Sequence, residues 1–97
     1  MANEIVKLFL DHGPSRMEQI LSAVDGSDLD VPERGAHSLK SSAANVGALH
    51  VQAATSELEL AASDGDLERF RGLIPDLEQA YAQAAKELAV VLEEGTE

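Results

Sequence analysis

The residues with the clearest potential for chemistry lie between Ala36 and Ala48 of the sequence. His37 and Lys40 are three positions apart, so in a helix their side chains would be neighbours on one side. Ser41 and Ala44 would give that side only small neighbours. An accessible imidazole near a cation suits a proton carrier, a metal ligand or a phosphoryl carrier, because imidazole is partly uncharged near neutral pH.

The composition predicts the scaffold that would hold this histidine. The 97 residues support one small domain, with a core over about 3–93 and a frayed tail over 94–97. Hydrophobic residues make up 44% and aromatic residues only 3%, so the core must be mainly aliphatic and alanine. Alanine and leucine favour helix, and convincing β-branched runs are missing. We therefore predict an all-α fold.

The charge and the missing cysteines exclude several functions. A net charge of −11 repels phosphate backbones and anionic lipid, so we expect neither nucleic-acid nor membrane binding. With no cysteine, disulfides, thiolate zinc sites and thiol catalysis are excluded. No apolar run approaches the roughly 20 residues of a membrane span, and no signal peptide is visible. We expect a cytoplasmic protein, either free-standing or one domain of a larger chain.

Turn residues divide the first half of the chain into three predicted helices. A short helix over Asn3 to Leu10 should end at His12-Gly13. Pro14 then suits the first turn of a second helix, where its missing N–H would have had no partner. Asp30 is the predicted cap of the third helix, and Gly47 its left-handed end.

The second half of the chain predicts two more helices. One runs from about Ala48 to Ser63, and the last follows Asp66, a suitable N-cap. Pro75 predicts a bend or break in the last helix. That helix has a continuous apolar seam of Leu67, Phe70, Ile74, Leu77, Tyr81, Ala84, Leu88 and Val91. Because the loops are short, we predict an up-down antiparallel four-helix bundle with a short extra N-terminal helix.

The segment His37-x-Leu39-Lys40-x-Ser42-Ala43-Ala44-x-Val46-Gly47-Ala48 resembles the signature of histidine-containing phosphotransfer (HPt) domains, the phosphocarriers of two-component phosphorelays. The bundle pattern is similar to that family from about Ile5 to Leu92. The resemblance implies that His37 accepts a phosphoryl group through Nε2 and that Lys40 steadies it. It also implies a monomer without a cofactor or kinase activity. The implied partner is the receiver domain of a response regulator or hybrid histidine kinase, which supplies Mg²⁺.

The resemblance further implies an orienting partner for His37, because several family members carry a Glu or Gln on the next helix. That position falls on Glu59. A carboxylate that accepts a hydrogen bond from Nδ1–H would fix the tautomer and leave Nε2 free to attack. The partner is expected to dock on the small residues Ser38, Ser41 and Ala44. Ser41 departs from the family, which most often has glycine there.

The other histidines and motifs offer little competing chemistry. His12 is expected at a helix end, and His50 lacks small neighbours. Pairing His37 with His50 does not give metal-ligand spacing on one face, and the chain has no GxxxxGK[ST] loop of a kinase. The alternative function is a helical adaptor that binds a signalling partner through its bundle face and is never phosphorylated.

Overall fold

The computed structural model describes residues 2–95, with side chains described over 4–91. The chain forms four helices, α1 (Ala2–Asp25), α2 (Asp30–Val46), α3 (Leu49–Ser63) and α4 (Leu67–Gly95). Each helix packs against two others, and the ring closes between α1 and α4. The predicted all-α four-helix bundle is thus confirmed. The core is mainly aliphatic and alanine, with Phe9 and Phe70 as its largest side chains.

The predicted short extra helix at the N-terminus is wrong, because α1 continues through Gly13 and Pro14. Its buried side is unbroken across the proline, with Phe9, Gly13 and Met17 each four residues apart. The phenol of Tyr81 lies over Gly13, and its hydroxyl donates to the Phe9 carbonyl oxygen at 3.4 Å. Packing of a continuous apolar side against α4 therefore outweighs the local signal of the Gly-Pro pair.

The last helix likewise continues through Pro75, so of the predicted bend or break the break is wrong, whereas the bend stays a prediction. Pro75 is exposed, whereas Phe70, Ile74 and Leu77 remain buried on the opposite side. The core contacts are thus kept on both sides of the proline. The helix extends to Gly95, and the frayed tail over 94–97 stays a prediction. Its last two residues, 96 and 97, lie outside the described residues.

Both ends of α2 are defined by hydrogen bonds. At its start, Asp28 rather than the predicted Asp30 acts as the acceptor, because the Asp30 N–H donates to Asp28 Oδ1 at 2.9 Å. At its end, Gly47 has the predicted left-handed conformation with φ of 74°. The Ala48 N–H then donates back to the Ala43 carbonyl oxygen at 2.9 Å. This tight reversal brings α3 directly alongside α2.

A glycine allows α2 to lie close to α1, two residues before His37. A Cβ atom at Gly35 would lie 2.8 Å from the Gln19 Cβ and 3.0 Å from the Arg16 carbonyl oxygen. Because the second neighbour is backbone, it can move only if the two helices separate. Gly35 therefore fixes how closely the helix that carries His37 packs on the bundle.

We predict that Gly35→Ala lowers the free energy of unfolding by about 1–2 kcal/mol, because overpacking outweighs the better helix propensity of alanine. The matched control is Gly72→Ala in α4, where nothing lies within 4 Å of the added Cβ. That control should be neutral or stabilising by up to about 1 kcal/mol. Urea unfolding of both variants measures the difference. Equal effects of the two substitutions would contradict the close approach of α1 and α2.

Candidate functional site

The packing of α2 turns His37 toward solvent. Ala36, Leu39 and Ala43 are fully buried in the core. Because His37 lies between the first two of these in sequence, a helical turn directs it away from their side. Its side chain is 67% exposed. An incoming protein can therefore reach the imidazole directly.

The neighbouring helix α3 brings a carboxylate to the inner edge of this imidazole. Glu59 Oε2 lies 3.1 Å from Nδ1 of His37, across 22 residues of sequence. Thr55 and Leu58 anchor α3 in the core, and Glu59 follows directly, with its side chain only 21% exposed. An ionised carboxylate only accepts hydrogen bonds, so the proton of this contact resides on Nδ1. The second ring nitrogen, Nε2, then has its lone pair free.

The same carboxylate also binds Lys40. The ammonium nitrogen of Lys40 lies 2.6 Å from Glu59 Oε1. This oxygen is shielded from solvent and accepts no well-aligned hydrogen bond from any described residue, Lys40 included. Its charge is thus balanced by the ammonium in an ion pair. Glu59 therefore uses one oxygen for His37 and the other for Lys40, and links all three side chains.

The two contacts change the acidity of Glu59. Burial alone would raise its pKa, but the close contacts and the charge attraction of Lys40 and His37 outweigh burial and lower the pKa below its ordinary value of 4.5. Glu59 is consequently ionised near neutral pH. An ionised Glu59 is what the hydrogen bond from Nδ1–H requires.

Next to His37 the surface carries an open depression of about 400 Å³, lined by Glu33, Arg34, His37, Ser38 and Glu59. The sequence reasoning missed Arg34, although it precedes His37 by three positions as Lys40 follows it by three. That spacing was a sufficient signal that Arg34 lies on the same side of α2.

The three residues predicted to contact a partner lie on this side of α2 and differ in their exposure to solvent. Ser41 and Ala44 are exposed, whereas Ser38 is half-buried at the wall of the depression. None of them is bulky enough to screen the imidazole from a flat approaching surface. Their contact with a partner stays a prediction.

The other two histidines lie apart from this site. His12 is exposed on α1, and His50 lines a separate depression between the turn after α2 and α4. Within the described part of the chain, no three His, Asp or Glu residues cluster closely enough to hold a metal ion. None of the described helices is long and apolar enough to cross a membrane.

Comparison with known proteins assigns the family. The family model for the Hpt domain matches residues 4–94, nearly the whole chain. The chain therefore belongs to the Hpt domain family, whose members have a phosphotransfer role in two-component systems and interact with the receiver domains of response regulators. Searches of curated proteins and of solved structures gave no match.

The lowered pKa of Glu59 makes a prediction for stability against pH. A carboxylate with a lowered pKa stabilises the fold above its unfolded-state pKa, and this contribution disappears as pH falls through the folded-state pKa. Wild type should thus be more stable than Glu59→Gln at about pH 7, and the difference should shrink below about pH 4.5.

Urea unfolding over a pH series measures this difference. Glu57→Gln is the control, because Glu57 lies two residues away and its ion pair in the described part of the chain, with Arg69 at 3.0 Å, is about half exposed. Exposed pairs of this kind contribute little to stability. If the difference for Glu59→Gln stays constant from about pH 7 to about pH 3, the ion pair does not stabilise the fold.

Proposed function

We propose that His37 accepts a phosphoryl group on Nε2 and exchanges it with the aspartate of a receiver domain. The observation that supports this most directly is the pairing of Nδ1 with Glu59 on an imidazole that is 67% exposed. One nitrogen is held by the protein and the other is open to a partner. A nucleophile fixed in this way suits group transfer between two proteins.

The transfer step needs few groups from this chain. The Nε2 lone pair attacks the phosphorus of the receiver's aspartyl phosphate, and an N–P bond forms as the P–O bond breaks. The electron pair of the broken bond leaves with the aspartate carboxylate. The Nδ1 proton stays on the ring, whose new positive charge is offset by Glu59 at 3.1 Å.

Lys40 supplies positive charge on the side of His37 toward the end of α2. Its ammonium has three N–H donors, so it can keep its 2.6 Å contact with Glu59 and direct another donor to the phosphoryl oxygens. A phosphoryl group brings roughly two negative charges, which a nearby ammonium stabilises. Lys40 thus steadies the phosphorylated state without leaving its carboxylate.

The proposed partner is a receiver domain of a response regulator or hybrid histidine kinase. It would supply the Mg²⁺ and the acceptor aspartate, and dock as one partner on a monomer of this chain. The exposed Ser41 and Ala44 and the half-buried Ser38 would lie beneath it. Serine at position 41 keeps this surface low, as the more usual glycine would.

Replacing the acceptor tests this function. We predict that His37→Gln loses all phosphoryl uptake from phosphorylated receiver domains and keeps its helical circular dichroism, because His37 is exposed and is not part of the buried core cluster. The measurement is transfer of label that is labile to acid and stable to base. His50→Gln is the matched control, since His50 is equally a surface histidine at a separate depression, and it should take up label like wild type.

Two results would count against the proposal. Uptake of label by the folded His37→Gln variant would place the acceptor elsewhere. Absence of uptake by the wild type from a full panel of receiver domains, together with stable binding to one of them, would instead identify an adaptor that carries no phosphoryl group.

A further inference from the structure

A second cation lies beside His37, on the opposite side from Lys40. Arg34 is exposed and lines the same depression as His37 and Ser38. Over the described residues, the recorded salt bridges and side-chain hydrogen bonds leave its guanidinium without a protein partner. The arginines of α4 are occupied in another way, because Arg69 pairs with Glu57 and Arg71 donates to the carbonyl oxygens of Ala23 and Gly26.

The charges around His37 show why one cation is insufficient. Two acidic and two basic side chains surround the imidazole, namely Glu33, Glu59, Arg34 and Lys40. Their formal charges cancel, and the charge of Lys40 is already balanced by Glu59 at 2.6 Å. A phosphoryl group on His37 brings roughly two negative charges to this neutral cluster, and the new positive charge of the ring offsets only one of them.

If Lys40 moved entirely to the phosphoryl group, the half-buried carboxylate of Glu59 would be destabilised. Its Oε1 atom is shielded from solvent and would lose the ammonium of Lys40, the one cation that contacts it among the described residues. Leaving a shielded charged oxygen without a partner is unfavourable. Arg34 pairs with no carboxylate among the described residues, so it can bind the phosphoryl group without breaking an ion pair. The planar fork of its guanidinium can also donate to two phosphoryl oxygens at once.

We propose that Arg34 is the second cation of the site and binds the phosphoryl group on His37 from the side of the α2 N-terminus. This inference rests on the proposed phosphorylation of His37. Arg34 then contributes the uncommitted positive charge, while Lys40 holds Glu59 and thereby the imidazole. The phosphoryl group on His37 is then bonded, through Arg34, to the first turns of α2, the helix that carries both residues.

The interaction is measured by comparing phosphorylated and unphosphorylated protein without any receiver domain. Wild type, Arg34→Gln and Arg34→Lys are loaded with phosphoramidate, whose P–N bond breaks as the Nε2–P bond forms and ammonia leaves. Urea midpoints are then determined at alkaline pH, where phosphohistidine persists. Arg69→Gln removes the same charge from a site away from His37 and serves as the control.

For each protein, the shift is the urea midpoint of the phosphorylated form minus that of the unphosphorylated form. We expect this shift to be more positive in wild type than in Arg34→Gln, by about 0.3–0.5 M urea. Arg34→Lys should recover part of this difference, because it keeps the charge and loses the fork. Arg69→Gln should respond to phosphorylation like wild type. This double comparison cancels any effect of Arg34 on the unphosphorylated fold.

Two results would overturn the inference, and they differ in whether they also reject His37 as the phosphoryl acceptor. The same phosphorylation-dependent change in wild type and Arg34→Gln would reject the role of Arg34 and leave His37 as the acceptor. No phosphoryl group on His37 of the wild type, with phosphoramidate or with receiver domains, would reject the acceptor and Arg34 together.

Discussion

The functional side of this bundle depends on one carboxylate shared between two helices. Glu59 accepts from Nδ1 of His37 at 3.1 Å with one oxygen and meets the ammonium of Lys40 at 2.6 Å with the other. An imidazole that is mostly exposed would otherwise sample both tautomers and several rotamers. The shared carboxylate selects one tautomer and holds the ring by its inner nitrogen. Its shielding from solvent strengthens both contacts.

The packing of the bundle keeps α2 and α3 in the register that brings Glu59 to His37 and Lys40. Gly47 ends α2 with a tight left-handed turn, so the two helices run side by side. The buried Thr55 and Leu58 anchor α3, and Gly35 lets α2 pack closely on α1. Each of these residues limits how far Glu59 can move from His37. Two glycines and two buried side chains of α3 therefore position a site whose chemistry needs only one nucleophilic nitrogen.

Sequence reasoning predicted what depends on local pattern. The apolar spacing and turn residues gave the four-helix bundle, the left-handed Gly47 and the exposed side of the helix that carries His37. It failed at Gly13-Pro14 and at Pro75, where a continuous apolar face packed on a neighbouring helix outweighs the local helix-breaking signal.

Contacts between helices were harder to predict, since spacing within one helix does not specify the register of its neighbour. Glu59 was selected through a family resemblance, and its ion pair with Lys40 was not predicted. Arg34 was overlooked, although the same three-residue spacing that singled out Lys40 placed it beside His37. The pattern was available, but the depression that joins Arg34 to His37 becomes visible only in the fold.

The central claim is that Glu59 fixes the His37 tautomer with the proton on Nδ1 and leaves Nε2 as the open nucleophile. Long-range ¹H–¹⁵N correlation spectra of ¹⁵N-labelled protein, recorded at alkaline pH, report the tautomer directly. We predict an Nδ1–H tautomer in wild type and a mixture of tautomers in Glu59→Ala. A proton found mainly on Nε2 in the wild type would contradict the claim.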